Sequence, residues 1–357
     1  MNFTLLDIGD LGSVDIAASC VRTAQDEDEA RRRPPGIVAV WVQNDDGDFD
    51  RQQLLTTWRP TAALAAGDLD GDYEHDLAVV AQNPGTRGVA VFLNNGDGSF
   101  DPEPITHRMS GAAAEHVIFH DTAHTERMDL IVTGSGYASG MVLTNQGPDS
   151  YERFSEALFL PDEKGLATAV HEMSGDTEPD LAVTQYRKGR ISLFAGGLDD
   201  TLDVSLGKSV RSAAEVIGGG DFNGNRVPDL VLLGRADDGA APVYLALSES
   251  PQAWSITDPL AGVTAARQAF RGDFDSDGAV DLVLLTDAAM EGDASHADIF
   301  MAAESGGDVS YQPAGQIPLA EPPHIALAAD MRNQGHTSLV VGNRDSGRIT
   351  VHTWQAE

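Results

Sequence analysis

Residues 68–79 read Asp68-Leu69-Asp70-Gly71-Asp72-Tyr73-Glu74-His75-Asp76-Leu77-Ala78-Val79, and this stretch decides the fold. An acid stands at every odd position of its first nine residues, with Gly71 as a turn former between them, and its last three begin a β-prone run. A small apolar segment, Ala62 to Ala66, leads into it. The same frame returns as Asp221-Phe222-Asn223-Gly224-Asn225-Arg226-Val227-Pro228-Asp229-Leu230-Val231-Leu232. It returns again as Asp273-Phe274-Asp275-Ser276-Asp277-Gly278-Ala279-Val280-Asp281-Leu282-Val283-Leu284. Three matches of this length are not chance, so the chain is a repeat array.

Weaker copies begin at Asp7, Asp121, Glu172 and Asp330, ending in Asp15-Ile16-Ala17, Asp129-Leu130-Ile131, Asp180-Leu181-Ala182 and Ser338-Leu339-Val340. The seven starts at 7, 68, 121, 172, 221, 273 and 330 are spaced by 61, 53, 51, 49, 52 and 57 residues. That period suits a four-stranded propeller blade. In the second repeat the strands are expected at Ala62–Gly67, Asp76–Ala81, Gly88–Leu93 and from near Phe100. Asn94-Asn95-Gly96-Asp97-Gly98 is the tight turn between the last two, because Asn and Gly tolerate positive φ. Residues 1–357 thus read as one all-β domain, a seven-bladed β-propeller. The seventh blade is expected to have three strands (His324–Ala329, Ser338–Gly342, Arg348–Trp354), since the first strand of repeat one begins almost at once in Asn2-Phe3-Thr4-Leu5-Leu6. Its last strand, Ile349–Trp354, is then a bare edge open to a strand-adding partner.

The chain carries 56 acidic against 23 basic residues, a net charge of −33. This excludes nucleic acid and anionic membrane surfaces as partners and favours cations. The one cysteine, Cys20, permits no internal disulfide and falls on a predicted strand. The acid-rich residues before it do not read as a signal peptide. No run approaches the ~18 apolar residues of a membrane span.

A hard divalent cation takes six or more oxygens. Positions 1, 3 and 5 of each loop can aim side-chain oxygens inward, position 7 a backbone carbonyl and position 9 a carboxylate. The predicted ligand sets are Asp68, Asp70, Asp72, Glu74 and Asp76; Asp221, Asn223, Asn225, Val227 and Asp229; and Asp273, Asp275, Asp277, Ala279 and Asp281. Val227 and Ala279 have no side-chain oxygen, so position 7 must act through its carbonyl. Position 12 is Val79, Leu232 or Leu284 rather than Glu, which excludes an EF-hand. One flexible all-protein loop favours calcium over magnesium. Glu172, Ser174, Asp176 and Asp180 form a further candidate set. The loops at 7 and 121, with Gly9 and Leu11 or Ala123 and Thr125 at positions 3 and 5, are expected to be empty, and Arg332 stands in for a cation beside Asp330.

With these loops and the turn Asn94-Asn95-Gly96-Asp97-Gly98-Ser99-Phe100, the chain resembles the FG-GAP/VCBS repeat propellers, of which the integrin α headpiece is the familiar member. The resemblance implies structural calcium, an extracellular or cell-surface setting, and ligand binding on the face away from the calcium loops. On the strand assignment, that face carries 17 of the 23 basic residues. Its candidate contact residues are Arg87, Tyr137, Tyr186, Arg187, Arg235, Arg267, His324 and Arg344. Glu115, Glu215, Arg267 and His324 share one repeat position, at which two other repeats have Ala62 and Leu166, and are expected to form a polar collar. His116, His120 and His124 are too awkwardly placed for one zinc ion. No nucleophile elbow, phosphate loop or metalloprotease motif is present. The leading expectation is a non-enzymatic module that binds a protein or glycan. The alternatives are a carbohydrate-active enzyme of the polysaccharide lyase type, whose base and binding groups would come from His324, Tyr137, Tyr186 and Arg187, and a structural subunit of a surface assembly.

Overall fold

The computed structural model describes residues 3–8, 14–20, 36–44, 46, 48–58, 61–81, 88–109, 116–122, 127–133, 140–147, 154–159, 165–171, 180–185, 190–194, 201–205, 213–220, 225, 229–234, 243–250, 253–257, 266–286, 295–305, 308–331, 335–343 and 346–354. All regular structure among them is strand. Two compact units are present, Met1–Lys164 with Met331–Gln334, and Gly165–Asp330 with Gly335–Glu357.

The first unit holds three sheets. Sheet one is β1 (Phe3–Leu6), β2 (Asp15–Cys20), β3 (Gly36–Gln43) and β4 (Phe49–Thr57). Sheet two is β5 (Thr61–Gly67), β6 (Asp76–Ala81), β7 (Gly88–Phe92) and β8 (Ile105–Arg108). Sheet three is β9 (His116–His120), β10 (Asp129–Thr133), β11 (Gly140–Asn145) and β12 (Phe154–Phe159). The second unit holds four. Sheet four is β13 (Gly165–His171), β14 (Asp180–Gln185), β15 (Arg190–Phe194) and β16 (Thr201–Ser205); sheet five is β17 (Ala213–Gly220), β18 (Asp229–Gly234), β19 (Val243–Ser250) and β20 (Ala253–Thr257). Sheet six is β21 (Ala266–Gly272), β22 (Asp281–Thr286), β23 (His296–Ser305) and β24 (Asp308–Pro318), and sheet seven is β25 (Pro323–Ala329), β26 (Ser338–Asn343) and β27 (Ile349–Thr353). Every sheet is an antiparallel meander in chain order, so each repeat is one sheet. The seventh has three strands among the described residues, and β1 pairs with β2 in sheet one, as the sequence phase requires.

One boundary differs from expectation by more than a single residue. Asn94 and Phe100 form only an isolated bridge, and the fourth strand of sheet two starts at Ile105. Pro102 and Pro104 lie between and cannot donate to a ladder, which delays the strand.

Sheet two shows why both faces of the middle strands are apolar. Leu77, Val79, Ala90 and Phe92 pack against Leu6, Ala17, Val38, Val40 and Leu55 of sheet one. The alternate residues Ala78, Val80, Val89 and Val91 pack against Val117, Leu130, Val132, Met141, Leu143 and Phe154 of sheet three. A strand sandwiched between neighbours has no polar face, so the period-two alternation vanishes from its sequence. The second unit repeats the scheme. Val231, Val243 and Leu245 meet Leu282 and Leu284 between sheets five and six, and Val283, Leu285, Ala297 and Ile299 meet Ala326, Leu339 and Val341 between sheets six and seven. Each Val, Leu or Ile side chain buried in this way contributes ~1.5–3 kcal/mol. At Gly67 the first strands of sheets two and three come so close that a Cβ would lie 2.5 Å from the Phe119 ring, so only glycine fits.

Candidate metal centres

Each loop joins the first and second strands of its sheet, and its ninth residue opens the second strand: Asp15, Asp76, Asp129, Asp180, Asp229, Asp281 and Ser338. In the loop at 68, ligand atoms of Asp68, Asp70 and Asp76 lie within 4.8 Å of one another. The loop at 273 gathers Asp273, Asp275 and Asp281 in the same way. Positions 1, 3 and 9 therefore converge in both.

The loop backbone is shaped by its own acids. Asp68 accepts the N–H of Gly71 at 2.7 Å and of Tyr73 at 2.9 Å. Asp273 accepts the N–H of Ser276 at 2.6 Å and of Gly278 at 3.0 Å. The fourth and sixth positions take left-handed backbone, with φ of 86° at Gly71, 72° at Tyr73, 67° at Ser276 and 86° at Gly278. The position-5 acids turn to the backbone: Asp72 accepts from Glu74 N–H at 2.9 Å and Asp277 from Ala279 N–H at 2.7 Å. They stand outside the three-carboxylate clusters.

Position 9 has a second task that the ligand pattern conceals. Asp76 accepts the Leu69 N–H on one oxygen and the Asn94 N–H on the other, at 2.8 and 2.9 Å. Asp281 does the same with Phe274 and Ala302, both at 2.9 Å. So do Asp15, with Ile8 and Gln43, and Asp129, with Thr122 and Asn145. Asp229 accepts from Ser248 N–H at 2.7 Å. This carboxylate fastens the loop to the end of the third strand, even in repeats whose loops lack acids at positions 3 and 5. Burial pushes the Asp76 carboxyl up to about 7, with Asp70 and Asp72 adding repulsion and the two N–H donors opposing. Burial raises Asp281 likewise, with Asp275 and Asp277 as the repelling neighbours.

Adjacent loops also touch. The Asp7 N–H donates to His75 Nδ1 at 3.0 Å, which fixes that nitrogen as the unprotonated one. The Asn145 side-chain amide donates to the Leu69 carbonyl at 2.8 Å, and the Thr337 N–H to the Asp273 carbonyl at 2.8 Å. None of these links is signalled by a sequence motif.

Of the third predicted loop only Asn225 and Asp229 are described, and the Asn225 amide donates to the Ser248 carbonyl at 2.8 Å. Asp221, Asn223 and Val227 lie outside the described residues, as do Glu172, Ser174, Asp176 and Arg332; Asp180 is described as backbone only. Arg87, Glu115, His124, Tyr137, Tyr186, Arg187, Arg235 and Arg344 also lie outside them. Glu215, Arg267 and His324 fall on strands β17, β21 and β25. Cys20 closes β2, and His116 and His120 bound β9. No described helix is long and apolar enough to cross a membrane.

No family model and no curated protein matches the chain. Among solved structures it is similar to the crystal structure of BBS1N in complex with ARL6DN, over 99% of this chain and 93% of that one, with a TM-score of 0.58 and 11% identity. The likeness is to a β-propeller. At that identity it speaks for the fold alone, and the sheet-by-sheet meander agrees with it.

Proposed function

We propose that this chain is a closed seven-bladed β-propeller whose acidic loops hold calcium and which acts as a non-catalytic binding module for a protein or glycan. The observation that carries the calcium reading is the same three-carboxylate cluster, in the same loop frame, in sheets two and six. Bringing two acids against a third, buried carboxylate is unfavourable without a cation, and a bound divalent ion reverses that repulsion. A ligand that binds only the native state stabilises it by about 2.7 kcal/mol at a hundredfold excess over Kd. The binding role is supported by the family resemblance and the basic residues assigned to the face away from the loops. The neighbouring propeller structure is itself a complex with a protein.

The test is thermal melting of chelator-treated protein with added calcium or magnesium. Calcium should raise the Tm, magnesium much less, and Asp70→Ala combined with Asp275→Ala should remove most of the rise, leaving only what the loop at 221 contributes. An unchanged Tm, with no anomalous scatterer beside Asp70 or Asp275 in calcium-grown crystals, would refute the metal reading. A glycan array together with an absorbance assay for unsaturated products from uronic-acid polymers separates binding from lyase chemistry.

A further inference from the structure

Sheet seven ends on β27, and no described strand lies beyond it, whereas each of the other six sheets carries a fourth strand there. The sequence of β27 is that of an interior strand. Ile349-Thr350-Val351-His352-Thr353 has four β-branched residues and no Asp, Glu, Lys or Arg, like the covered third strands Gly88–Phe92 and Gly140–Asn145. Five of the six fourth strands carry such charges: Asp50 and Arg51, Arg108, Glu156, Asp203 and Asp308. Edge strands usually avoid pairing through charge, proline or a bulge, and β27 has none of these, its ladder to β26 running without a register shift. Val351 is 40% exposed, one of four large hydrophobic residues so exposed among the described residues.

The hydrogen-bond phase fixes which backbone groups face outward. The Asn343 N–H donates to the Arg348 carbonyl at 2.8 Å, and Gly342 stands opposite Ile349. Bonded and non-bonded pairs alternate along an antiparallel ladder, so Thr350 and His352 bond to β26 while Ile349, Val351 and Thr353 direct N–H and C=O off the sheet.

We propose that β27 pairs antiparallel with β27 of a second copy of this chain, about a two-fold axis at Val351. In that register Val351 meets Val351, and Ile349 meets Thr353, each pair exchanging two hydrogen bonds. Thr350 faces His352. All these cross-strand neighbours are uncharged or β-branched, which favours pairing. A self-complementary strip is what an isologous contact requires. Charge selects this strip. At −33 per chain, two copies repel over most of their surface, and β27 is neutral and flanked by Arg348. Burial also lowers the His352 pKa, which keeps the strand uncharged at neutral pH. A five-residue strand pair is a small interface, so the dimer is weak and concentration-dependent.

Sedimentation equilibrium of the whole chain tests this. The weight-average mass should rise with concentration from 37.8 kDa toward twice that value. The rise should be steeper in high salt, which screens the net charge. Val351→Pro removes an outward N–H without touching the bonds to β26, and Val351→Lys sets two ammonium groups at the axis. Each should weaken association at least about tenfold while leaving the Tm unchanged. Amide exchange at Ile349, Val351 and Thr353 should be fast in dilute protein and slow as the dimer forms. A monomer at every concentration and salt overturns the proposal, as does a dimer that survives both substitutions. Slow exchange of those three amides in the monomer also overturns it, because another segment or another protein then fills the edge.

Discussion

Gln53 pairs with Phe100 as though its side chain were a piece of backbone. Its amide N–H donates to the Phe100 carbonyl at 2.8 Å, and its carbonyl accepts the Phe100 N–H at 2.8 Å. The side chain reaches from β4 of sheet one to the turn region of sheet two, with Phe100 buried beneath the contact. Replacing Gln53 with Ala leaves both groups of Phe100 without their partner. The expected loss is about 1–3 kcal/mol, read as a lower urea midpoint at unchanged slope. Gln53→Glu keeps the acceptor and loses the donor, so it should fall between wild type and Gln53→Ala.

The position-9 carboxylate and the position-3 carboxylate should separate cleanly. Asp129→Ala strands the half-buried Thr122 amide and the buried Asn145 amide and should cost about 2–4 kcal/mol, by the same amount in calcium and in chelator. Asp70→Ala should leave the chelated protein as stable as before, or more so, because it removes a charge that repels Asp76. It should abolish the calcium-dependent gain of its own loop. Equal calcium dependence in the two variants would show that the two roles are not distinct.

Tyr73 and Gly278 occupy the same loop position with left-handed backbone, φ 72° and 86°. Tyr73 is 95% exposed, so its ring recovers little by packing. Left-handed backbone costs a non-glycine residue about 1–2 kcal/mol, and glycine's greater freedom in the unfolded chain returns part of that. Tyr73→Gly should therefore stabilise the protein by up to about 1 kcal/mol. Gly278→Ala should destabilise it by about 1 kcal/mol, although nothing lies within 4 Å of the added Cβ. A stabilised Gly278→Ala protein would contradict the assigned loop shape.

Asp15 gives stability a pH dependence that needs no metal. Burial raises its pKa above the ordinary 3.8, outweighing the Gln43 and Ile8 N–H donors, and Asp7 adds repulsion. A raised carboxylate contributes stability that is complete below 3.8 and is lost as pH rises through the folded value. In chelator, the difference in unfolding free energy between wild type and Asp15→Asn should therefore shrink as pH rises from 3.8 toward neutrality. A difference that grows over that range would reverse the assigned shift.

The phase of the repeat was legible because one residue type marks a fixed place. An aspartate followed by Leu-Val-Leu or Leu-Ala-Val announces a second strand, and six of the seven second strands open on that aspartate. Its visible spacing suggested a ligand, while its bonds to Leu69 and Asn94, 7 and 18 residues away in the chain, depend on how a hairpin folds back. Asp72 and Asp277 looked equivalent to Asp70 and Asp275 in the linear pattern. In three dimensions each caps an N–H two residues on, a local option open to any aspartate in a turn. Gln53 and His75 carry no signal at all, since their partners belong to neighbouring repeats.

The double duty of the ninth residue bears on how such an array can change over time. Asp15 and Asp129 hold their hairpins closed beside loops with no acid at positions 3 and 5, so folding of a repeat and occupancy of its loop are separable traits. Positions 3 and 5 can drift or be rewritten while the hairpin stays intact. A designer could therefore install a binding loop in sheet three by changing Ala123 and Thr125 to aspartates, with Asp129 already in place.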